Sequence, residues 1–252
     1  MNQALSLSVV YHRYIEALLH GSYRRALRVC QAALNTGTTL NQLYLEVFHP
    51  ALYEIGQLWE RNRLSIAQEH IATAITRTVM AQVHAIAASR LSTRSLFVSA
   101  LNRKIITTCV SGEYHDIGIR MVADCFEIEG WRVYHLGANM PADDVVHLAN
   151  HEQVHVLALS VTLNVHVPDA YEIIRQVRRS PIGSRIKVLV GGQPFNQVEG
   201  LYQKVEADLT AANACEAVYR TTAALSNQHA DHEGHSLAQV LSLRSRSVGH
   251  GD

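Results

Sequence analysis

The sequence predicts an α + α/β chain, an N-terminal four-helix bundle followed by a five-stranded parallel doubly wound sheet. Three observations carry this prediction. From residue 1 to about 97, apolar residues recur at the three- and four-residue spacing of helices that bury one face. From 103 to 222, short apolar runs alternate with amphipathic stretches, which is the pattern of strand–helix–strand units. Between the two lies a polar interval, residues 92–102, so the sequence places the domain boundary near 97.

In the first part, Val9, Tyr14, Ala17 and Leu18 mark one helix and Ala26, Val29, Ala33 and Leu34 the next, with the turn residues Asn35 to Thr38 after them. A third pattern runs from Leu40 to Trp59, with Pro50 inside it expected to kink or split the helix. The fourth runs from Ile66 to Leu91. Ser65 and Gln68 give it a capping box, in which the Ser oxygen takes an orphan amide and the Gln side chain reaches back. Short connections imply an up-down bundle.

In the second part, strands are expected at 104–110, 131–136, 155–161, 186–190 and 207–210. Helices are expected at 117–129, 142–150, 168–179 and 212–225, with a shorter one near 196–203. Five parallel strands in the order 2-1-3-4-5 make a flavodoxin-like sheet, whose ligand crevice lies over the ends of the first and third strands. The region spans 103–225. Residues 226–252 are polar, with His229, His232, His235 and His250, and read as a disordered tail.

Composition narrows the function classes. With 48% hydrophobic and 17% charged residues, the chain is not disordered throughout. The formal net charge is zero, and neither domain is basic enough to predict nucleic-acid binding. No apolar run is long enough to span a bilayer and no signal peptide is evident, so a cytoplasmic location is expected. The cysteines Cys30, Cys109, Cys125 and Cys215 form no Cys-x-x-Cys pair and read as small core residues.

The chemistry concentrates in Glu113-Tyr114-His115-Asp116-Ile117-Gly118, a loop between the first strand and its helix. A His there can offer one ring nitrogen to a metal while an acid two residues earlier holds the other. Gly118 lets a bulky ligand or the backbone come close. Ser160-Val161-Thr162-Leu163 ends the third strand and Gly191-Gly192 the fourth. In the bundle, Trp59 is followed after nine residues by Glu69-His70, which gathers a Trp, an acid and a His at one end of a helix pair.

The hexad resembles the Asp/Glu-x-His-x-x-Gly signature of cobalamin-binding domains, and the Ser segment, Gly-Gly and Leu136-Gly137-Ala138-Asn139-Met140-Pro141 resemble the same family in order. Trp59-x9-Glu69-His70 is similar to the bundle of light-sensing cobalamin proteins of the CarH type. The resemblance covers about residues 40–222. It implies cobalamin as cofactor, with His115 as lower axial cobalt ligand oriented by Glu113. It also implies that Glu113, Tyr114, Asp116, Ile117 and Gly118 line the lower face, and that Ser160, Thr162, Leu163, Gly191 and Gly192 line a channel for the displaced nucleotide tail. Trp59, Glu69 and His70 would form the pocket over the upper face.

Two positions depart from the family pattern. Glu60 stands where the adenosylcobalamin photoreceptors carry a cobalt-capturing His, and Glu206-Ala207-Asp208 stands where a Gly-Ala-Asp turn is usual. The bundle begins almost at residue 1, so the resemblance implies no DNA-binding module. It points to a light-responsive photoreceptor for transcription regulation, similar to AerR-type antirepressors, with a transcription factor or other regulatory protein as partner and without enzymatic activity. The alternative is a corrinoid carrier protein of a methyltransferase system. Cobalamin storage is a third reading, and an isomerase is disfavoured because no substrate barrel is present.

Overall fold

The computed structural model of the protein describes residues 6–91 and 102–226. Its first half is helical. Helix α1 (Leu7–Leu19) starts where the Ser6 side chain accepts the Val9 amide, and α2 (Tyr23–Asn35) follows a short turn. Thr39 and Gln42 form a capping box that opens α3 (Leu40–Leu43). The chain then widens through a π turn (Tyr44–Phe48) into α4 (His49–Glu60). Pro50 is the second residue of α4, and the chain before it is already helical, with Phe48 at φ −73° and ψ −48°. The segment expected to be kinked or split at the proline changes instead from α to π winding just before it. Helix α5 (Ile66–Leu91) begins at the expected box, with Ser65 N donating to Gln68 Oε1 at 2.9 Å and Gln68 N to Ser65 Oγ at 3.3 Å.

Amphipathic spacing explains the packing. Tyr14, Ala17 and Leu18 of α1, Ala26, Cys30 and Ala33 of α2, and Ala72, Val79, Met80 and Val83 of α5 are buried in one cluster. Phe48 lies between Tyr14 and Tyr44, with ring centroids 4.9 and 5.7 Å away. The Tyr14 hydroxyl, buried at the centre, donates to Thr76 Oγ1 at 3.0 Å.

The second half is the expected five-stranded parallel sheet in the order β2-β1-β3-β4-β5. Its strands are β1 (Lys104–Cys109), β2 (Arg132–Gly137), β3 (Val156–Ser160), β4 (Lys187–Gly191) and β5 (Leu209–Ala211). Helices α6 (Ile117–Ile128), α7 (Ala142–Glu152), α8 (Val167–Arg179), the short α9 (Gln193–Gln197) and α10 (Leu201–Lys204), and α11 over 214–226 cover its faces. The inner strands are apolar on both faces because both are covered: every residue of β3 is buried.

Register decides where the motifs meet. Cys109 pairs with Ser160, Ser160 with Gly191, and Gly191 with Ala211, so the carboxyl ends of four strands form one row. Glu206 takes the left-handed conformation (φ 61°) that the family's glycine would favour, and Asp208 then accepts from Val188 N and Arg178, each at 2.6 Å. The turn is thus kept despite the substitution. Cys215 is only half-buried, unlike the other cysteines, because it lies on the first turn of α11. The tail expected at 226–252 falls outside the described residues after Ser226, as does nearly all of the 92–102 interval.

The two halves share packing. Met121 and Cys125 of α6 and Ala214 of α11 belong to the buried cluster of the bundle. The Tyr44 hydroxyl donates to Asp124 Oδ2 at 2.6 Å in this seam, where Asp124 is fully buried.

Candidate functional site

The site begins with the loop after β1. Glu113 is fully buried, and both its oxygens are occupied. Oε1 lies 2.5 Å from His115 Nδ1 and accepts the His115 amide at 3.0 Å. Oε2 accepts the amides of Thr162 (2.8 Å) and Leu163 (3.1 Å) from the loop after β3. Burial alone would raise this carboxyl's pKa, but the His115 ring and these three amides outweigh it and hold the group down at about 2. Glu113 is therefore a fixed anion, and it raises the pKa of the His115 ring against the effect of burial.

With Nδ1 committed to Glu113, His115 keeps Nε2 on a side chain that is 60% exposed. A His oriented by a carboxylate through one nitrogen and open at the other is the arrangement of a metal ligand. Tyr114 beside it is exposed, and a Cβ added to Gly118 on the first turn of α6 would meet nothing within 4 Å. Space for a bulky group thus adjoins the imidazole. Ile117, which opens α6, packs against the bundle cluster.

The structure places the remaining residues as follows. Ser160 is nearly buried in the row of strand ends, and Leu163 is exposed at its edge. Thr162 and Leu163 act through their amides on Glu113. Gly192 has φ 106°, and a Cβ there would lie 1.9 Å from Val161 O. A Cβ on Gly191 would approach Ala211 O at 3.3 Å. The glycine pair therefore already answers to packing at the end of β4, before any ligand is considered.

Across the cleft, Glu69, Thr73 and Arg77 share one face of α5, at intervals of one helical turn. Thr73 Oγ1 donates to Glu69 Oε1 at 2.7 Å, and Glu69 Oε2 lies 2.5 Å from His70 Nδ1. Arg77 on this face bonds Asp116 of the His115 loop, so the face looks onto that loop. Arg77 reaches over and grips Asp116 with two bonds, of 2.7 and 2.8 Å. Trp59, near the end of α4, is 45% exposed, and His70 is exposed as well.

Several contributors had no role assigned from sequence. Arg77 and Asn139 hold the loop; His135 lines its edge. Burial, with Arg120 and Arg77 nearby, lowers the His135 pKa to about 4 against the pull of Asp116. Asn139 could have been found, since an Asn two residues before a Pro at a strand end is a left-handed turn candidate. Arg77 gave no local signal, because its partner is 39 residues away. Among the described residues His84, Asp124 and Glu127 also have ligand atoms within 4.8 Å of one another. Arg120 Nε lies 2.7 Å from Asp124 Oδ1, however, so that carboxylate already has its counter-charge.

A helical cap over the carboxyl edge of a parallel sheet, with a carboxylate-held His between them, defines a class of cobalt-corrinoid proteins. Residues 103–219 match the family described as B12 binding domain, and residues 10–84 match a second family of the same description. The chain belongs to the cobalamin-binding proteins, and cobalamin is its cofactor. It is 27% identical to dimethylamine corrinoid protein 2 of Methanosarcina mazei over 66% of this chain and 73% of that protein. It is 26% identical to trimethylamine corrinoid protein 1 of Methanosarcina acetivorans over 79% and 89%. The Methanosarcina barkeri monomethylamine corrinoid protein has the same fold, with TM-score 0.70 at 19% identity over 88% of this chain and 99% of that one.

These relatives correct the functional expectation. The reading as a light-responsive photoreceptor and antirepressor acting in transcription regulation, with a transcription factor as partner, is overturned by similarity to methylamine corrinoid proteins across most of their length. The physical reason lies in the motif that carried it. Trp59, Glu69 and His70 lie in the helical half that matches a B12 binding domain, and a helical half of this kind is shared with methylamine corrinoid proteins, so the motif does not single out a sensor. No helix among the described residues is long and apolar enough to cross a membrane.

Proposed function

We propose that the chain is a corrinoid carrier protein of a methyltransferase system, a shuttle for a methyl group rather than a catalyst in its own right. The observation that carries this is the similarity to the dimethylamine and trimethylamine corrinoid proteins across most of their length. The Glu113–His115 pair, 2.5 Å apart beneath a helical cap, supports the corrinoid site that such a carrier needs. Bound cobalamin would supply a cobalt centre that takes a methyl group by forming a cobalt–carbon bond and gives it to an acceptor by breaking that bond. His115 would hold the cobalt through Nε2. Glu113 keeps the imidazole in one tautomer and makes it a stronger donor. Ser160, Thr162, Leu163, Gly191 and Gly192 would hold the nucleotide tail, and Tyr114, Asp116, Ile117 and Gly118 would adjoin the corrin beside His115. Trp59, Glu69 and His70 would shield the cofactor from the bundle side until a partner methyltransferase engages it.

The test uses the full chain loaded with methylcobalamin, mixed with a thiol acceptor and a corrinoid-dependent methyltransferase. Loss of the methyl-cobalt absorption only when all three are present is the expected outcome. A methyl group that stays on the chain with every such methyltransferase supplied would overturn the carrier reading.

A further inference from the structure

The loop that holds His115 is itself held by a residue from the next strand end, Asn139. Val110 to Glu113 forms a tight turn closed by Glu113 N donating to Val110 O at 3.1 Å. Gly112, its third residue, has φ 76°, whereas Ser111 is not among the positive-φ residues. That combination is a type II turn, whose central peptide presents its N–H on one side of the turn. In a type I turn the same peptide plane is reversed. The Gly112 N–H is taken by Asn139 Oδ1 at 2.8 Å, and Asn139 returns its own amide to Glu113 O at 2.9 Å. Asn139 itself is left-handed (φ 53°), a conformation Asn tolerates better than most residues. On the other side, the His166 ring closes over Gly112, with Cε1 2.8 Å from where a Cβ would stand.

We propose that Asn139, from the loop after β2, is a positioning residue that clamps the Gly112–Glu113 backbone and through it the pose of the Glu113–His115 pair. This rests on the reading of His115 as the lower cobalt ligand. Glu113 makes four hydrogen bonds with two oxygens, and they converge only while its backbone is held in place. Asn139 holds that backbone at two successive residues, through Oδ1 on the Gly112 amide and through its own amide on Glu113 O. Loss of the side chain removes the first of these bonds and frees the Ser111–Gly112 peptide to flip. Asn139 thus helps to aim His115, while its own hydrogen bonds go to Gly112 and Glu113.

The experiment loads full-length variants, grown on 15N-histidine, with cobalamin and reads the cobalt(II) form by electron paramagnetic resonance, where an axial 15N imidazole splits each line into two and the cofactor's own 14N benzimidazole splits it into three. The pH at which His115 comes off is then titrated. Asn139→Gly removes the acceptor and accepts the left-handed backbone; Asn139→Asp restores the acceptor. The Gly variant should hold cobalamin but lose its two-line splitting at a pH about one unit higher, a tenfold looser ligation, the scale of one hydrogen bond. The Asp variant should behave as wild type. An unchanged midpoint in Asn139→Gly would overturn the proposal, and so would an Asp variant as impaired as the Gly variant. Should the Gly variant fail to fold, Asn139→Ala is read in the same way. His115→Ala separates the two levels. If it keeps the two-line splitting, His115 is not the ligand. If it loses that splitting while Asn139→Gly does not, only the role of Asn139 fails.

Discussion

At the scale of single residues, the site is a buried anion whose bonds are nearly all made by backbone and one imidazole. Glu113 is ionised because three amides and His115 outweigh its burial, so replacing it costs more than one contact. Glu113→Gln keeps the shape but offers an NH₂ group to donors. It should lower the melting temperature by several degrees, from about 2 kcal/mol lost in a domain this size, and should weaken His115 ligation to cobalt. Calorimetry and the cobalt(II) spectrum check the two parts. The pH dependence follows from the signs. The Glu113 pKa is depressed from 4.5 to about 2, so its stabilisation is present above 4.5 and lost as pH falls through about 2. The His115 pKa is raised above 6.5, so its share in the cofactor-free protein is full below 6.5 and lost as pH rises through the folded value. Ligation has the opposite preference, since Nε2 must be unprotonated to bind cobalt. Cofactor-free stability should therefore fall, and His-on cobalamin rise, as pH climbs from 6 to 9, both lost in His115→Ala. The Glu113–His115 pair could be read from spacing alone because both members lie in one loop. The amides of Thr162 and Leu163 could not, because they come from a strand end 49 and 50 residues on.

At the scale of elements, apolar periodicity named every strand, since buried parallel strands leave continuous apolar runs, and the doubly wound class implied by strand–helix alternation gave their order. It was silent on local geometry that depends on backbone direction. The π turn at Tyr44–Phe48 is one case, because its signal is the accommodation of Pro50 and not a residue type. Gly192 is another. Sequence offered it as room for a nucleotide tail, whereas the structure shows that its own chain forbids a side chain. Gly192→Ala should thus destabilise the cofactor-free protein by about 3 kcal/mol or more, through a left-sided φ and collision with Val161 O. Gly118→Ala makes the contrast: nothing stands within 4 Å, so it should fold normally and weaken cobalamin binding only. Denaturant melts of both variants without cofactor, followed by a cobalamin titration of the alanine at 118, separate structural glycine from ligand-facing glycine. Equal stability of the two variants would show that the collision at 192 is relieved by a small backbone shift.

At the scale of the whole molecule, the carrier reading requires a cap that shields the upper face and yet gives way. The seam between cap and sheet has two parts of different strength. Near α6, Tyr44 donates to fully buried Asp124, beside Met121 and Cys125 in the bundle's own cluster. Burial raises the pKa of Asp124, with the Tyr44 bond, His84 and Arg120 acting the other way. Nearer the site, Arg77 holds Asp116 by a bidentate pair whose arginine is half exposed. Neither contact is visible in sequence, since both join residues of separate domains. A buried hydrogen bond to a carboxylate resists loss, whereas a half-exposed ion pair contributes only about 0.5–1 kcal/mol. The cap should therefore loosen first at Arg77 and pivot about the Tyr44–Asp124 seam. Arg77→Ala should leave the melting temperature within about 2 °C of wild type while speeding amide exchange in the middle of α5 and methyl transfer to a partner enzyme. Tyr44→Phe should do the reverse, costing about 1–3 kcal/mol by stranding a buried carboxylate oxygen, with lower melting temperature and no gain in transfer. Hydrogen exchange by mass spectrometry on both variants, loaded with cobalamin, reads the difference directly. If Arg77→Ala leaves α5 exchange untouched and Tyr44→Phe quickens it, the hinge and the latch have been assigned the wrong way round.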